Sequence, residues 1–147
     1  MLEGKRVAVV VPAHDEEKLI ETTLRGVPAF VDRIYVVDDA SRDGTSDRAR
    51  ALAAADSRFE VIAHDRNQGV GGAIVTGYRR ALEERIDVTC VMAADNQMDP
   101  ADLEAIAGPV ARGDVEYAKA NRVVTGQAWL LIPRHRYLGN AVLSLLT

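Results

Sequence analysis

An open, mainly parallel α/β sheet with helices on both faces is the fold class that this chain predicts. Three observations carry it: short β-branched runs recur along the sequence, helical patterns lie between them, and strand and helix alternate four times. At 147 residues, 48% of them hydrophobic, the chain has the length for one packed domain over 1–147 and not the composition of a fibrous or disordered one.

The first run, Val7 to Val11, is apolar without alternation and is expected to stop at Pro12. Similar runs follow at Ile34 to Val37, Val61 to Ile62 and Val88 to Met92. Unbroken runs of this kind belong to strands covered on both faces, as in a parallel sheet. Between them, Glu16 to Gly26 reads as a helix with Leu19, Ile20, Thr23 and Leu24 on one side. Thr45 to Ala55 is the next. Gly71 to Arg85 places Ile74, Tyr78, Ala81 and Leu82 inward, and Pro100 to Ala111 is the fourth. No internal repeat, low-complexity tract or linker divides the chain. Right-handed crossovers in such a sheet put the ligand outside the carboxyl ends of the strands, so function is sought just after each strand.

Charge and cysteine usage narrow the classes. Eighteen basic against 22 acidic residues give a net charge of -4, which argues against a nucleic-acid partner, because neutralising phosphates needs a basic face. Cys90, the single cysteine, excludes an internal disulfide and reads as a buried small hydrophobe, fitting a reducing cytoplasm. The start of the chain has no signal-peptide pattern. The charge-free stretch from Val123 to Pro133 is far shorter than the ~20 apolar residues that span a bilayer, so membrane contact is expected to be peripheral.

Four segments carry candidate chemistry. After the first strand, Pro12, Ala13, His14, Asp15, Glu16 and Glu17 read either as a strand end with an acidic helix start or as a pocket wall with His14 stacking on a base. After the second, Asp38 and Asp39 either cap a Ser/Asp/Gly/Thr turn or accept hydrogen bonds from a ribose hydroxyl or base N–H. After the third, Asn67, Gly69, Gly71 and Gly72 open a helix, which suits phosphate near backbone N–H groups or close packing of the helix on the sheet. After the fourth, Asp95, Gln97 and Asp99 alternate ahead of Pro100. Asp99 is most simply an N-cap, whereas Asp95 suits a hard divalent cation bridging a diphosphate. Ile74 breaks the dinucleotide fingerprint, which disfavours a nicotinamide dehydrogenase.

In fixed order, VVVPAHDEE, IYVVDDASRDGT, RNQGVGGAIVTGYRRAL and ADNQMDP resemble glycosyltransferase family 2, in its dolichyl-phosphate-mannose-synthase-like and bacterial polyprenyl-phosphate branches. The resemblance covers nearly the whole chain and implies a GT-A fold. It implies that Pro12, Ala13, His14 and Glu16 line the base and ribose pocket, with His14 where a tyrosine is more common, and that Asp39 accepts from the base. Asp38, Asn67 and Gly69 join that donor-binding set. Asp95 stands for the surviving carboxylate of an Asp-x-Asp motif, Gln97 is a further ligand, and Mg²⁺ or Mn²⁺ is the implied cofactor. Ala93 occupies the place of the first aspartate. The segment Ala120-Asn121-Arg122 and the basic run Pro133 to Arg136 resemble the phosphate-clamping parts of lipid-phosphate enzymes, which gives Arg122, Arg134 and Arg136 that task and makes Asp95 and Arg122 the catalytic pair.

The implied reaction moves a hexose from a UDP- or GDP-sugar to a polyprenyl phosphate with inversion, at the inner face of a membrane. The competing expectation, motivated by Ala93, is a non-catalytic nucleotide-sugar-binding or regulatory domain. Leu138, Val142, Leu145 and Leu146 form an amphipathic pattern that stops at Thr147 without a cap. The expectation is therefore an acceptor-side portion missing after 147, self-association through that apolar face, and donor binding with poor transfer by this chain alone.

Overall fold

A computed structural model describes residues 1–120. In chain order the elements are β1 (Val7–Ala13), α1 (Ile20–Arg25), β2 (Arg33–Asp38), α2 (Thr45–Ala55), β3 (Phe59–Ala63), α3 (Gly69–Glu83), β4 (Val88–Val91) and α4 (Asp102–Arg112). The four strands form one sheet in the order β3-β2-β1-β4, and every pairing is parallel. This is the open α/β sheet that the alternation of runs predicts.

Handedness explains where each helix lies. The chain steps from β1 to β2 to β3 in one direction, and α1 and α2 cover one face together with α4. It then crosses back over the whole sheet to β4. A right-handed crossover in the reverse direction must use the opposite face, and α3 packs there across β1 and β2. The residues of β1 divide accordingly: Val9, Val11 and Ala13 meet Ile20, Leu24, Ala49 and Leu52, while Ala8 and Val10 meet Ala73 and Ala81. All five residues from Val7 to Val11 are fully buried. The reversal puts the topological switch point between the carboxyl ends of β1 and β4, the crevice position where such sheets bind ligands.

Three expectations need correction. Pro12 does not stop β1, which continues to Ala13 with Pro12 opposite Val37. Met92 N–H donates to Val10 O at 3.0 Å, so the even-numbered backbone groups of β1 face β4, and the β1–β4 register ends at Val10. The missing N–H of Pro12 therefore falls where no ladder bond is due. Helix α1 starts at Ile20, not Glu16, because Asp15 has a φ of 54° and residues 15 to 17 are held by the loop after β2.

The third correction concerns α3. Its inward face is Ala73, Gly77 and Ala81, while Tyr78 and Leu82 are 41% and 75% exposed. Small residues at i, i+4 and i+8 bring the helix close to β1, and Gly77, with Val10 beneath it, is the packing glycine; a Cβ at Gly71 would meet nothing within 4 Å. A Cβ at Gly77 would overlap the Val10 side chain.

At the amino end of the sheet, Arg33 donates to Glu60 and Glu84, each at 2.9 Å, and Arg80 donates to Glu60 at 2.8 Å. These ion pairs tie β2, β3 and α3 together far from the crevice. Among the described residues no helix is long and apolar enough to cross a membrane.

The Gly77–Val10 contact yields a stability prediction. Gly77→Ala should destabilise the fold by about 1–3 kcal/mol through overpacking, read by urea unfolding. Val10→Ala placed in the same chain should recover part of that loss, so the two changes together cost less than their sum.

Candidate functional site

The carboxyl ends of β1, β2 and β4 bring most of the sequence-predicted residues to one edge of the sheet. Pro12 and Ala13 end β1, with His14 and Glu16 in the loop beyond; Asp38 ends β2 and Asp39 follows it; Asp95 and Gln97 follow β4; Asn67 and Gly69 open α3. Asp39 N–H donates to Ala13 O at 2.8 Å, and His14 Nδ1 lies 2.8 Å from Asp39 O, which joins the first two segments directly. Arg122, Arg134, Arg136 and the terminal amphipathic pattern lie outside the described residues.

The loops after β1 and β2 are cross-bonded through alternating side chains and backbone. Asp15 N–H donates to Ser41 Oγ, Arg42 N–H to Asp15 Oδ1, Glu16 N–H to Thr45 Oγ1 and Glu17 N–H to Asp43 Oδ2. Glu17 returns the contact by accepting from Gly44 N–H and from Arg48 Nη2. Thr45 is fully buried. Asp15 and Ala40, with φ of 54° and 58°, supply the sharp bends that let the two loops meet. The turn residues of DDASRDGT thus hold the first loop, a use that the sequence reading missed. Asp38 Oδ1 accepts Ser41 N–H at 3.1 Å and shapes the same turn.

Asp39 has a different set of partners. It is 3% exposed, and its Oδ1 accepts from His64 Nδ1 at 2.7 Å and from Gln68 N–H at 2.8 Å. The His64 Nε2 is 2.9 Å from Thr76 Oγ1 on α3. An ionised Asp39 fixes the proton on Nδ1, which leaves Nε2 to accept from the Thr76 hydroxyl. Burial works against ionisation of Asp39, but the Gln68 N–H, the His64 ring and the Gly69 N–H outweigh it and hold the carboxyl below its ordinary range. His64 is a site residue that sequence reasoning missed. The signal was available: it follows β3 as Asp39 follows β2, and the Asp38–Ala63 register makes them neighbours.

At the start of α3, Asn67 Oδ1 accepts Gly69 N–H at 2.9 Å, and Gly69 has a φ of 77° that favours glycine. Both that N–H and the one of Gln68 have protein partners.

The loop after β4 is set by Thr23 of α1, whose hydroxyl donates to Ala94 O at 3.0 Å in a buried contact. Asp95 Oδ1 accepts Gln97 N–H at 3.1 Å across Asn96, whose φ is 55°. Asp99 Oδ1 accepts Ala101 N–H at 2.9 Å, the N-cap use expected of it. Glu16 lies across the crevice. Burial raises its carboxyl pKa above the ordinary value, and the charges of Asp95 and then Asp43 push the same way.

No group of three His, Cys, Asp or Glu residues that could hold a metal ion occurs among the described residues. The donor set nonetheless suits Mg²⁺ or Mn²⁺ bound together with a diphosphate. These hard cations take one or two carboxylates from protein and further oxygens from phosphate and water, and Asp95 with the amide of Gln97 supplies oxygen of that kind.

The crevice charges make a pH-dependent prediction. A raised carboxyl pKa means that the folded state holds the proton more tightly than the unfolded chain, so the associated stability is present at low pH and lost as pH rises through the raised pKa. Glu16→Gln should therefore unfold at a higher temperature than the parent at pH 7, with the gap closing toward pH 4. An equal melting shift at both pH values would show that charge is not the cause.

Comparison with known proteins places these features. The family model described as Glycosyl transferase family 2 matches residues 8–144. The UDP-N-acetylglucosamine–dolichyl-phosphate N-acetylglucosaminyltransferase of Methanococcus voltae is 28% identical over 156 residues, covering 97% of this chain and 62% of its own length. The undecaprenyl-phosphate mannosyltransferase of Micrococcus luteus is 35% identical over 112 residues, covering 75% of this chain and 46% of its own length. The chain thus spans about half the length of these relatives. A mannosyltransferase from Pyrobaculum calidifontis, solved with GDP-Man and Mn²⁺, superposes with a TM-score of 0.61 at 25% identity over 75% of this chain and 33% of that one. A glucosyl-3-phosphoglycerate synthase from Mycobacterium tuberculosis, solved with Mn²⁺, UDP and glucosyl-3-phosphoglycerate, gives 0.58 at 25% identity over 74% and 40%. These neighbours share the GT-A fold. By the match over nearly its full length, the chain belongs to glycosyl transferase family 2.

Proposed function

We propose that this chain is the nucleotide-sugar-binding part of an inverting glycosyltransferase that passes a hexose from a UDP- or GDP-sugar to a polyprenyl phosphate. The observation that carries the reading is the closeness of Glu16 and Asp95, with Asp39 following β2 at the same carboxyl edge of the sheet, in a chain of this family. Relatives named for dolichyl and undecaprenyl phosphate support the acceptor, and neighbours solved with GDP-Man and UDP support the donor.

In this reading Pro12, Ala13 and His14 line the base and ribose pocket, and Asp39 accepts from the base. Asp38 keeps the turn beside it in shape. Asn67 and Gly69 aim the amino end of α3 toward the diphosphate, where the helix dipole favours negative charge. Asp95 and Gln97 hold Mg²⁺ or Mn²⁺. When bound, that cation offsets the charge developing on the departing nucleoside diphosphate. Arg122, Arg134 and Arg136 clamp phosphate oxygens, the task for which a guanidinium fork is suited.

A phosphate monoester acceptor is already anionic at neutral pH, so the chain needs no general base to activate it. A single displacement on the face opposite the leaving group inverts the anomeric centre. A lipid-linked acceptor would hold the protein at the cytoplasmic face of a membrane through peripheral contact. Self-association would run through the exposed apolar residues Tyr78 and Leu82 or through the segment beyond the described residues.

Ala93 favours a second reading, a domain that binds nucleotide sugar without turning it over, because it stands where the first carboxylate of the metal motif is expected. The two readings part on whether a divalent ion tightens nucleotide-sugar binding. Calorimetry with UDP- and GDP-sugars, with and without Mn²⁺, should show a metal-dependent gain in affinity. Asp95→Asn should remove that gain, with a loss on the order of 10-fold or more. An equal gain in the variant would reject Asp95 as a ligand. Ala93→Asp should tighten Mn²⁺ binding in the same titration.

A further inference from the structure

We propose that α1 is the platform for the metal loop, with Thr23 as the positioning residue whose buried hydroxyl holds Asp95 and Gln97 where a divalent cation meets the diphosphate. The inference rests on the reading above that Asp95 and Gln97 hold Mg²⁺ or Mn²⁺.

The segment from Met92 to Pro100 leaves β4 and carries both proposed ligands before α4 begins. It touches α1 at each end. Near its start the Thr23 hydroxyl donates to Ala94 O at 3.0 Å, and Thr23, Met92 and Ala94 are all buried. At its far end, Gly26 lies so close to Pro100 that a Cβ there would come within 2.8 Å of the proline ring. The loop also closes on itself, with Ala93 N–H directed to Met98 Sδ at 3.3 Å and Gln97 N–H to Asp95 Oδ1 at 3.1 Å. Met98 in turn packs against the core cluster that includes Ile20 and Leu24 of α1. A helical threonine commonly turns its O–H back to its own helix. Thr23 donates outward, to the residue just before Asp95.

The same helix is fastened to the loop after β1. Glu16 O accepts the N–H groups of Leu19 and Ile20 at the entry to α1, and Glu17 and Glu21 both pair with Arg48 of α2. Glu16 and Asp95 are near enough for their charges to interact, and the loops that carry them share one six-residue support.

Ala93 makes that support matter. It leaves the metal motif with Asp95 as its carboxylate, so charge alone attracts the cation less, and affinity depends more on how firmly the Asp95 and Gln97 oxygens are held in place. The hydrogen bond that closes the Asp95–Gln97 turn is exposed, whereas the bond from Thr23 is buried. Rigidity therefore reaches the ligands from α1.

The test is calorimetric titration of the full chain with Mn²⁺ in the presence of UDP or GDP, whichever the parent binds more tightly, alongside titration of that nucleotide in EDTA. Thr23→Val keeps the branched shape and removes the O–H. It should weaken Mn²⁺ binding about 10-fold, the lower end of what losing a hydrogen bond behind a metal ligand costs. Thr23→Ser, which returns the O–H, should restore most of that affinity, and Thr22→Val, on the exposed side of the same helix, should bind as the parent does. Metal-free nucleotide affinity should be the same in each of these chains. A role in folding alone would lower the melting temperature of Thr23→Val and leave its Mn²⁺ affinity at the parental value, and that result overturns the proposal. So does an equal loss of metal-free nucleotide binding. Gly26→Ala presses on Pro100 without altering the Thr23 hydroxyl, and it carries the test if Thr23→Val does not fold: severalfold weaker Mn²⁺ binding is expected, and parental binding overturns the proposal. Asp95→Asn separates the levels. If it abolishes Mn²⁺ binding while Thr23→Val leaves it unchanged, the role of Thr23 falls and the metal reading stands. If Asp95→Asn binds Mn²⁺ like the parent, or the parent shows no metal-dependent binding, both fall.

Discussion

Complete burial of the first strand is the constraint on which the other features rest. A strand with no exposed residue from Val7 to Val11 must be covered on both faces, and a chain of right-handed crossovers achieves this only by reversing direction across the sheet. That reversal sends α3 alone to one face and opens the crevice beside β1. The small inner face of α3 follows from the same requirement, since the helix must lie close above Val10 to seal it.

The crevice combines two opposed kinds of polar chemistry. Asp39 is buried but well supplied with donors, which holds its carboxyl below the ordinary range. Glu16 and Asp95 face each other without a basic partner among the described residues, and burial first, then the charges of Asp95 and Asp43, raises the Glu16 carboxyl. Around them the loops after β1 and β2 are fixed by Ser41, Asp43 and Thr45 accepting from the backbone of Asp15, Glu17 and Glu16. Preorganisation of this kind lets unfavourable charge persist at the mouth of a site, because the segments carrying it cannot relax apart.

Much of this was legible in the sequence, for identifiable reasons. Unbroken apolar runs give buried parallel strands directly, and strand ends in this architecture point to the site, so Pro12, Asp39 and Asp95 could be placed on one edge before any coordinates. What sequence did not disclose was pairing between loops. Asp43 and Thr45 look like ordinary turn residues, and only the approach of the β1 loop gives them their partners. Pro12 misled because proline excludes a ladder bond only where one is due, and at this position none is. Tyr78 and Leu82 misled because large apolar residues are normally turned inward, while here the space above β1 admits only Ala73, Gly77 and Ala81.

The ion pairs at the amino end of the sheet separate two kinds of selection on this sequence. Arg33, Glu60, Arg80 and Glu84 fasten β2, β3 and α3 at the end remote from the crevice. Substitution there is filtered by whether the chain folds. Substitution at Ala93 or Gln97, in a turn closed by the Asp95 carboxylate and anchored by Thr23, is filtered by what the crevice binds. A lineage built on this plan can therefore drift in ligand chemistry at one pole while the other preserves the scaffold.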